Sequence, residues 1–218
     1  MTWEVVRRPE HAREFHARPI PEPAERAVWV CEPTGPALVL GSAQREDIVD
    51  HQACARAGID VVRRRSGGGA VLVVPGELLW VDVIVPADDP RWTADVGEAF
   101  HWLGEAWQVA FAELGVTTTV HRGGLVRSRW SDLVCFAGLG AGEVLNEAGA
   151  KVVGMSQRRT RAAARFQCAA LGRWDPDALL ELLVVEGRDA AAAELQDAAS
   201  GAGVDVDTLL NAFLRRLP

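Results

Sequence analysis

Two rhythms of apolar and polar positions organise this chain. From Glu77 to Val85 the run ELLWVDVIV is apolar at nearly every position, as expected of a strand buried on both faces. Shorter β-rich runs stand at 27–32 (AVWVCE) and 37–41 (ALVLG), around the turn PTGP. Further strands are expected at 60–65, 70–74, 116–121 and 151–157, while 162–171 reads as strand or helix. The helical rhythm is clearest over 94–114. There Val96, Phe100, Leu103, Trp107, Phe111 and Leu114 recur at steps of three and four, and Gly115 follows as a stop. A second helix over 44–57 stops at Gly58, and three more near 176–186, 188–199 and 205–216 end the chain. The first 26 residues, with Pro9, Pro19, Pro21 and Pro23, are expected to be loop-rich. The segment 122–150 is Gly-rich and irregular, and connections of that length tend to carry function.

Strands in hairpin-like groups, one long interposed helix and helices gathered at the end make an α+β pattern. The regular βαβ alternation of a dinucleotide-binding fold is not there. A length of 218 residues fits a single domain, 1–218, with a small helical tail at about 175–218.

Composition narrows the function classes. Hydrophobic residues at 49% and charged residues at 24% suit a folded protein with a full core. The net charge of -7 argues against a basic nucleic-acid footprint. No apolar run approaches the roughly 20 residues that span a bilayer, and the start MTWEVVRRPEHAREF has no signal-peptide core, so no membrane role is expected. Cys31, Cys54, Cys135 and Cys168 are scattered without a CxxC pair. Neither a zinc site nor a disulfide framework is indicated, no metal is expected to be held by protein ligands alone, and a cytoplasmic location follows as the default. One detail is sharper. Of 23 Lys plus Arg residues only Lys151 is lysine. A chain that uses Arg everywhere else points to a place where Arg will not serve, because a compact ammonium and a planar guanidinium are not interchangeable.

Two segments carry candidate chemistry. In Arg63-Arg64-Arg65-Ser66-Gly67-Gly68-Gly69-Ala70-Val71, three glycines between strands can expose backbone N–H groups to an anion or let an acyl chain approach, and the arginines can bind phosphate or carboxylate. The alternative is a flexible hairpin with solvated arginines. In Lys151-Val152-Val153-Gly154-Met155-Ser156-Gln157-Arg158-Arg159, a strand would place Lys151, Val153 and Met155 on one face, with the lysine beside the Gly-rich stretch. Such a lysine can stabilise negative charge on a carbonyl or phosphoryl oxygen; the alternative is a surface lysine.

Together these motifs resemble the biotin/lipoate protein ligase family, in its lipoate–protein ligase and octanoyltransferase branch, which pairs an RRxSGGGAV loop with a downstream KxxGxxQRR-type strand. The resemblance runs from about Leu38 to Leu171. It implies a mixed, largely antiparallel sheet flanked by helices, like that of biotin ligases and class II synthetases. It implies that Lys151 is catalytic, and that Arg64, Ser66, Gly67, Gly68, Gly69, Ala70, Gly154 and Ser156 line the acyl or acyl-adenylate pocket. Asp132 stands where ligases of the family have an Asn-Asp pair. The implied activity is attachment of lipoate or octanoate to the lysine of a lipoyl carrier domain through a lipoyl-adenylate, with ATP and magnesium. The carriers would be lipoyl domains of 2-oxoacid dehydrogenases or a glycine-cleavage carrier protein.

Cys135-Phe136 opens a second reading. Cysteine-dependent octanoyltransferases of this family carry a nucleophilic Cys, often in a Cys-Phe pair, on the same loop. Cys135 would then take an octanoyl group from a thioester, for example on an acyl carrier protein, without ATP. A third reading is a non-catalytic acyl-binding relative, since Val73 replaces the usual His after GGGAV-x and Arg165-Phe166-Gln167-Cys168-Ala169 replaces a His-Gly segment. The family's N-terminal helix with its acidic residue is not evident, and a tail shorter than the accessory domain of many ligases fits either a separate accessory domain as a partner or a mechanism with no adenylation step. Among weaker candidates, Asp82 must find a partner if buried. His101 is expected at a surface or core edge, and Trp80 is the first choice for a tryptophan lining an acyl tunnel.

Overall fold

The computed structural model describes residues 3–218. Ten strands follow in chain order: β1 (Glu4–Glu10), β2 (Ala27–Pro33), β3 (Ala37–Leu40), β4 (Asp60–Arg63), β5 (Val71–Val73), β6 (Leu78–Pro86), β7 (Thr118–Val120), β8 (Val144–Asn146), β9 (Lys151–Arg159) and β10 (Ala163–Leu171). The helices are α1 (Ala12–Ala17), α2 (His51–Ala57), α3 (His101–Glu113), α4 (Pro176–Leu180), α5 (Arg188–Leu195) and α6 (Val206–Arg216). Seven strands form a mixed sheet in the order β1-β2-β6-β10-β9-β8-β7, and three form a small sheet, β4-β3-β5. In the large sheet only β1–β2 is parallel. This is the α+β, largely antiparallel arrangement expected.

Strand β6 explains the layering. Leu79, Val81, Val83 and Val85 join one core with α3 and α6, while Leu78, Trp80 and Ile84 join a second core beneath the small sheet. A strand buried on both faces is apolar throughout, which is why 77–85 stood out. In the first core Trp107 of α3 stacks on Phe213 of α6 at 3.8 Å between ring centroids. Burying side chains of this size stabilises by roughly 2–3 kcal/mol each. Strand β3 repeats the pattern: Ala37 and Val39 face the large sheet, and Leu38 and Leu40 face α2, α4 and α5.

Several expectations need correction. The first 26 residues are not loop-rich throughout: they form β1 and α1, and α1 contains the acidic Glu14. Pro9 inside β1, and Pro19, Pro21 and Pro23 after α1, masked these short elements. The helix expected over 44–57 is a 3-10 turn at Glu46–Ile48 followed by α2, begun by the Asp50 side chain accepting from the Ala53 N–H. The helix expected over 94–114 starts regularly only at His101, after a 3-10 turn at Glu98–Phe100. The ambiguous 162–171 is strand β10. The tail helices are shorter than expected at 176–180 and 188–195. The segment 122–150 is ordered by a bridge between Val126 and Leu139, by a 3-10 turn at Cys135–Ala137 and by β8. Among the described residues no helix is long and apolar enough to cross a membrane.

Asp82 lies on β6 between the two sheets and is fully buried. It finds the partners its burial demands: Arg165 Nε, Gln167 Nε2 at 3.0 Å and Trp80 Nε1 at 2.9 Å all donate to it. Burial pushes its carboxyl up and Arg165 opposes that. Arg165 also donates to the carbonyls of Arg18 (2.7 Å) and Phe15 (2.9 Å), holding the end of α1 against the sheet. His16 of α1 packs edge-on against Trp80 at 4.7 Å, and burial, aided by Arg165 and Arg64, pushes its imidazole down to about 3.

Two predictions follow from this layer. Arg165→Leu strands the Asp82 carboxylate in the core and is expected to cost about 3–5 kcal/mol, read by urea unfolding. A loss below 1 kcal/mol would mean that Asp82 is satisfied without Arg165. His16 stays neutral in the fold while the unfolded chain protonates it below about 6.5. Its contribution is therefore intact above pH 6.5 and lost as pH falls towards 3, at about 1.4 kcal/mol per pH unit. His16→Gln is expected to flatten that acid limb; identical slopes for the two proteins would exclude His16 as its source.

Candidate functional site

The Gly-rich turn between β4 and β5 faces the 3-10 turn at Cys135–Ala137, and their backbones lock together. The Ala70 N–H donates to the Leu133 carbonyl at 2.8 Å and the Cys135 N–H to the Ala70 carbonyl at 3.0 Å. Glycine is required where these backbones meet. A Cβ on Gly69 would lie 2.5 Å from the backbone of Val134 and Cys135, and Gly68 has a φ of 101°. Gly67 faces open space. Arg64 is 2% exposed and lies behind the turn, where Nη2 donates to the carbonyls of Gly67 (2.8 Å) and Gly69 (2.9 Å). It braces the glycines from inside and does not reach into open solvent.

Lys151 begins β9 and is 2% exposed. Its Nζ donates to the carbonyls of Cys135 (2.9 Å) and Gly138 (2.5 Å) and to Glu143 Oε2 (2.9 Å). An ammonium has three N–H donors, and all three are used. Glu143 is equally buried, and it accepts from the Met155 N–H at 2.8 Å and the Gly140 N–H at 2.7 Å. The tail contributes as well: the Lys151 N–H donates to the Ala198 carbonyl and the Ser200 N–H to the Lys151 carbonyl.

A cleft of about 600 Å³ opens over this arrangement, a size that suits a small-molecule or cofactor site. Lys151, Cys135, Gly67, Gly68, Gly69, Asp132 and Ser156 line it, so most of the residues singled out from the sequence converge. The others stand behind. Ser66 is 1% exposed and donates to Gln167 Oε1 at 2.6 Å, while Ser156 Oγ donates to Ser66 Oγ at 2.9 Å. Gly154 packs against the Phe136 ring and Glu143, and Ala70 faces a separate small apolar cavity of about 90 Å³. Asp132 sits at the mouth, its side chain 86% exposed and paired with Arg127 at 2.8 Å. Trp80 is buried beside Asp82, away from the cleft, and His101 is half-buried at the start of α3.

The cysteines separate by environment. Cys168 and Cys54 are buried with thiols raised by burial, and Cys31 is pushed up to about 12 by the same cause. Cys135 alone of the four lines the cleft, with its sulfur 3.8 Å from Arg64 Nη2. The cation recorded against the sulfur is thus Arg64, whereas Lys151 holds the Cys135 carbonyl. Sequence reasoning missed Glu143 and also Gln44, whose side chain ties the Gly41 N–H to the carbonyls of Asp132 and Leu133. Neither stands in a motif; only the fold brings them to the cleft.

The lipoyl protein ligase A/B catalytic domain model matches residues 13–217. No curated protein matches the sequence. Among solved structures, a bipartite lipoate protein ligase with its E2 lipoyl domain from Thermoplasma acidophilum superposes with a TM-score of 0.77 at 21% identity, covering 99% of this chain and 81% of that one. A Thermoplasma acidophilum protein with bound lipoic acid gives 0.72 at 18% identity, covering 99% and 84%. A lipoate-protein ligase A bound with ATP gives 0.71 at 19%, covering 99% and 83%. At these identities the likeness establishes the fold.

Gly69→Ala is expected to push the Cys135 turn away and cost about 1–3 kcal/mol, while Gly67→Ala stays within about 0.5 kcal/mol of the parent. Equal urea midpoints for the two would show that the turn yields. Glu143→Leu leaves Lys151 a buried cation without its carboxylate, at an expected cost of about 3–5 kcal/mol. Adding Lys151→Met is expected to recover much of that loss in a double-mutant cycle, and simple additivity would disprove the coupling.

Proposed function

This chain belongs to the lipoyl protein ligase A/B catalytic-domain family, and from that membership and the cleft we propose that it acylates a lysine of a lipoyl carrier domain with lipoate or its octanoyl precursor. The observation that carries this reading is the sole lysine, buried at the cleft opposite the Gly67–Gly69 turn. A buried ammonium in the wall of a cleft is suited to developing negative charge on a carbonyl oxygen. The carriers are lipoyl domains of 2-oxoacid dehydrogenases or a glycine-cleavage carrier protein.

In the ligase reading, a carboxylate oxygen of lipoate attacks the α-phosphorus of ATP and pyrophosphate leaves. The carrier lysine amine then attacks the carbonyl carbon of the mixed anhydride, and AMP leaves as the amide forms. Because all three N–H groups of Lys151 are engaged, the substrate oxygen takes over a place held by the carbonyl of Cys135 or Gly138. The cleft has the volume for an adenylate, and Gly67 leaves it room beside the turn. Magnesium would be held chiefly by phosphates and water. Glu143 is engaged by Lys151 and Asp132 by Arg127, and among the described residues no three His, Cys, Asp or Glu side chains cluster as metal ligands.

The position of Cys135 in the same cleft favours a second reading. Its sulfur attacks the carbonyl carbon of an octanoyl thioester and the carrier thiol leaves. The lysine amine of the lipoyl domain then attacks the acyl-cysteine, and the thiol of Cys135 is restored.

Intact-mass analysis of an apo lipoyl domain tests both. With ATP, magnesium and lipoate, a lipoyl mass gain lost in Lys151→Ala and kept in Cys135→Ala establishes the ligase. With octanoyl carrier protein and no ATP, a gain lost in Cys135→Ala establishes the transferase. No gain in either tube, from folded protein, overturns the reading in favour of an acyl-binding protein.

A further inference from the structure

Asp82, Gln167 and Ser156 stand in one row across the large sheet: Gln167 of β10 pairs with Asp82 of β6 on one side and with Ser156 of β9 on the other. Ser66 of the Gly-rich turn packs onto this row, and its hydrogen bonds all run one way. Asp82 receives Arg165 Nε, Trp80 Nε1 and Gln167 Nε2, so it acts as an acceptor only. That fixes the Gln167 amide, with Nε2 towards Asp82 and Oε1 towards Ser66. The Ser66 hydroxyl donates to this Oε1 at 2.6 Å. A hydroxyl has one proton, so Ser66 can only accept from Ser156, whose Oγ donates to it at 2.9 Å. Ser156 has then spent its own proton on the inner side. It lines the cleft, and what its Oγ offers there is lone pairs alone. A serine by itself can donate or accept; the buried carboxylate at the far end of the row decides which.

Ser156 also stands next to the Lys151 ammonium. Strand β8 pairs with β9 only at Lys151 and Val153, so from Met155 onward that edge of β9 opens on the cleft. The Glu143 carboxylate bridges Lys151 Nζ (2.9 Å) and the Met155 N–H (2.8 Å). The ammonium is thus folded back along the strand towards Met155, the residue before Ser156. Other acceptors in the wall are taken. Glu143 is filled by Lys151, Gly140 and Met155, Gln157 Oε1 by Arg159 Nε at 2.7 Å, and Gln44 Oε1 by the Gly41 N–H at 2.9 Å. At its reacting end an acyl donor carries a carbonyl oxygen and, as an adenylate, phosphate oxygens. All are acceptors, which the lone pairs of Ser156 repel. The reactant that brings N–H groups to that point is the attacking amine. A neutral amine has two N–H groups and one lone pair, so holding one N–H gives the lone pair a direction.

We propose that Ser156 Oγ accepts an N–H of the carrier lysine amine and aims its lone pair at the acyl carbon, with Gln167 and Asp82 as the positioning residues that set the Ser156 hydroxyl. The identity of the amine rests on the acyl-transfer reading; the acceptor character of Ser156 does not. Ser156 takes no proton in this role, because the row behind it runs through an amide that passes none on. The proton shed as the amide bond forms goes to the departing Cys135 thiolate or to the phosphate of the departing AMP.

Timing the two steps of the reaction separately tests this. Formation of the intermediate is followed without the lipoyl domain, as acyl-Cys135 by mass or as adenylate by pyrophosphate exchange. Transfer is followed by adding the apo domain. Ser156→Ala is expected to form the intermediate at the parent's rate and to slow transfer at least tenfold, with the KM for the domain unchanged. Gln167→Met leaves Asp82 its bonds from Arg165 and Trp80 but removes the acceptor of Ser66, so the Ser156 proton can turn into the cleft. It is expected to slow transfer in the same selective way, although it lies behind the wall. Urea midpoints check that both variants are folded, and Ser156→Ala stands as the decisive one if Gln167→Met is not. Unchanged transfer in Ser156→Ala overturns the proposal, and so does equal slowing of both steps, which a merely structural role would give. A parent that forms no intermediate and acylates no domain defeats the acyl-transfer reading instead. Titration of n-butylamine, a probe of the lysine side chain, then tests the acceptor directly. Binding at least threefold weaker in Ser156→Ala keeps it; equal affinities, or no binding by the parent, remove it.

Discussion

A lysine ammonium can be buried only where acceptors are built for it, and that requirement organises the functional half of this molecule. Lys151 receives two backbone carbonyls from the Cys135–Gly138 segment and the carboxylate of Glu143. Glu143 must in turn be buried, and it is held by the N–H groups of Met155 and Gly140. The consequence is that a Gly-rich stretch with little side-chain mass is pinned from several directions. The same contacts set the Cys135 turn against the Gly67–Gly69 turn and so shape the cleft. They also explain why Arg cannot replace the lysine: a planar fork has no geometry for three convergent acceptors at one nitrogen.

Behind the cleft a chain of buried polar groups runs from Ser156 through Ser66 and Gln167 to Asp82 and Arg165. It lies in the layer between the two sheets, beside the second apolar core. Each member is satisfied, which is the condition under which a buried network rigidifies and does not destabilise. The network joins the Gly-rich turn and β6 to the β9–β10 pair far along the chain. Through the carbonyls of Phe15 and Arg18, to which Arg165 donates, α1 is joined as well. The cleft therefore has a stiff back wall, while its mouth, at Leu125 and Asp132, is exposed.

The arginines show one residue type put to three uses by position. Arg64 is an internal brace for glycine carbonyls, and Arg165 neutralises a core carboxylate and caps a helix end. Arg65 and Arg158 face solvent, and among the described residues no acid pairs with them. The run Arg63-Arg64-Arg65 gives no hint of this division. The strand pleat turns alternate side chains to opposite faces, and which face meets solvent is decided by the layer packed against it.

Local physics was enough for much of the architecture. The doubly buried β6 announced itself as an unbroken apolar run, the stripe of α3 as a 3.6-residue period, and the Gly-rich turn as three residues without Cβ. The rarity of Lys151 marked a site before any contact was known. These features are properties of contiguous chain, so contiguous chain reveals them. The N-terminal β1 and α1, the order within 122–150, Glu143 and Gln44 were not readable in the same way. Their stability comes from partners far along the chain: α1 from Arg165, the 135–138 turn from Ala70 and Lys151, and Glu143 from Met155. Short elements and lone polar residues carry too little local preference to declare themselves. Only closure of the two sheets supplies the acceptors, donors and apolar surface that decide where they go.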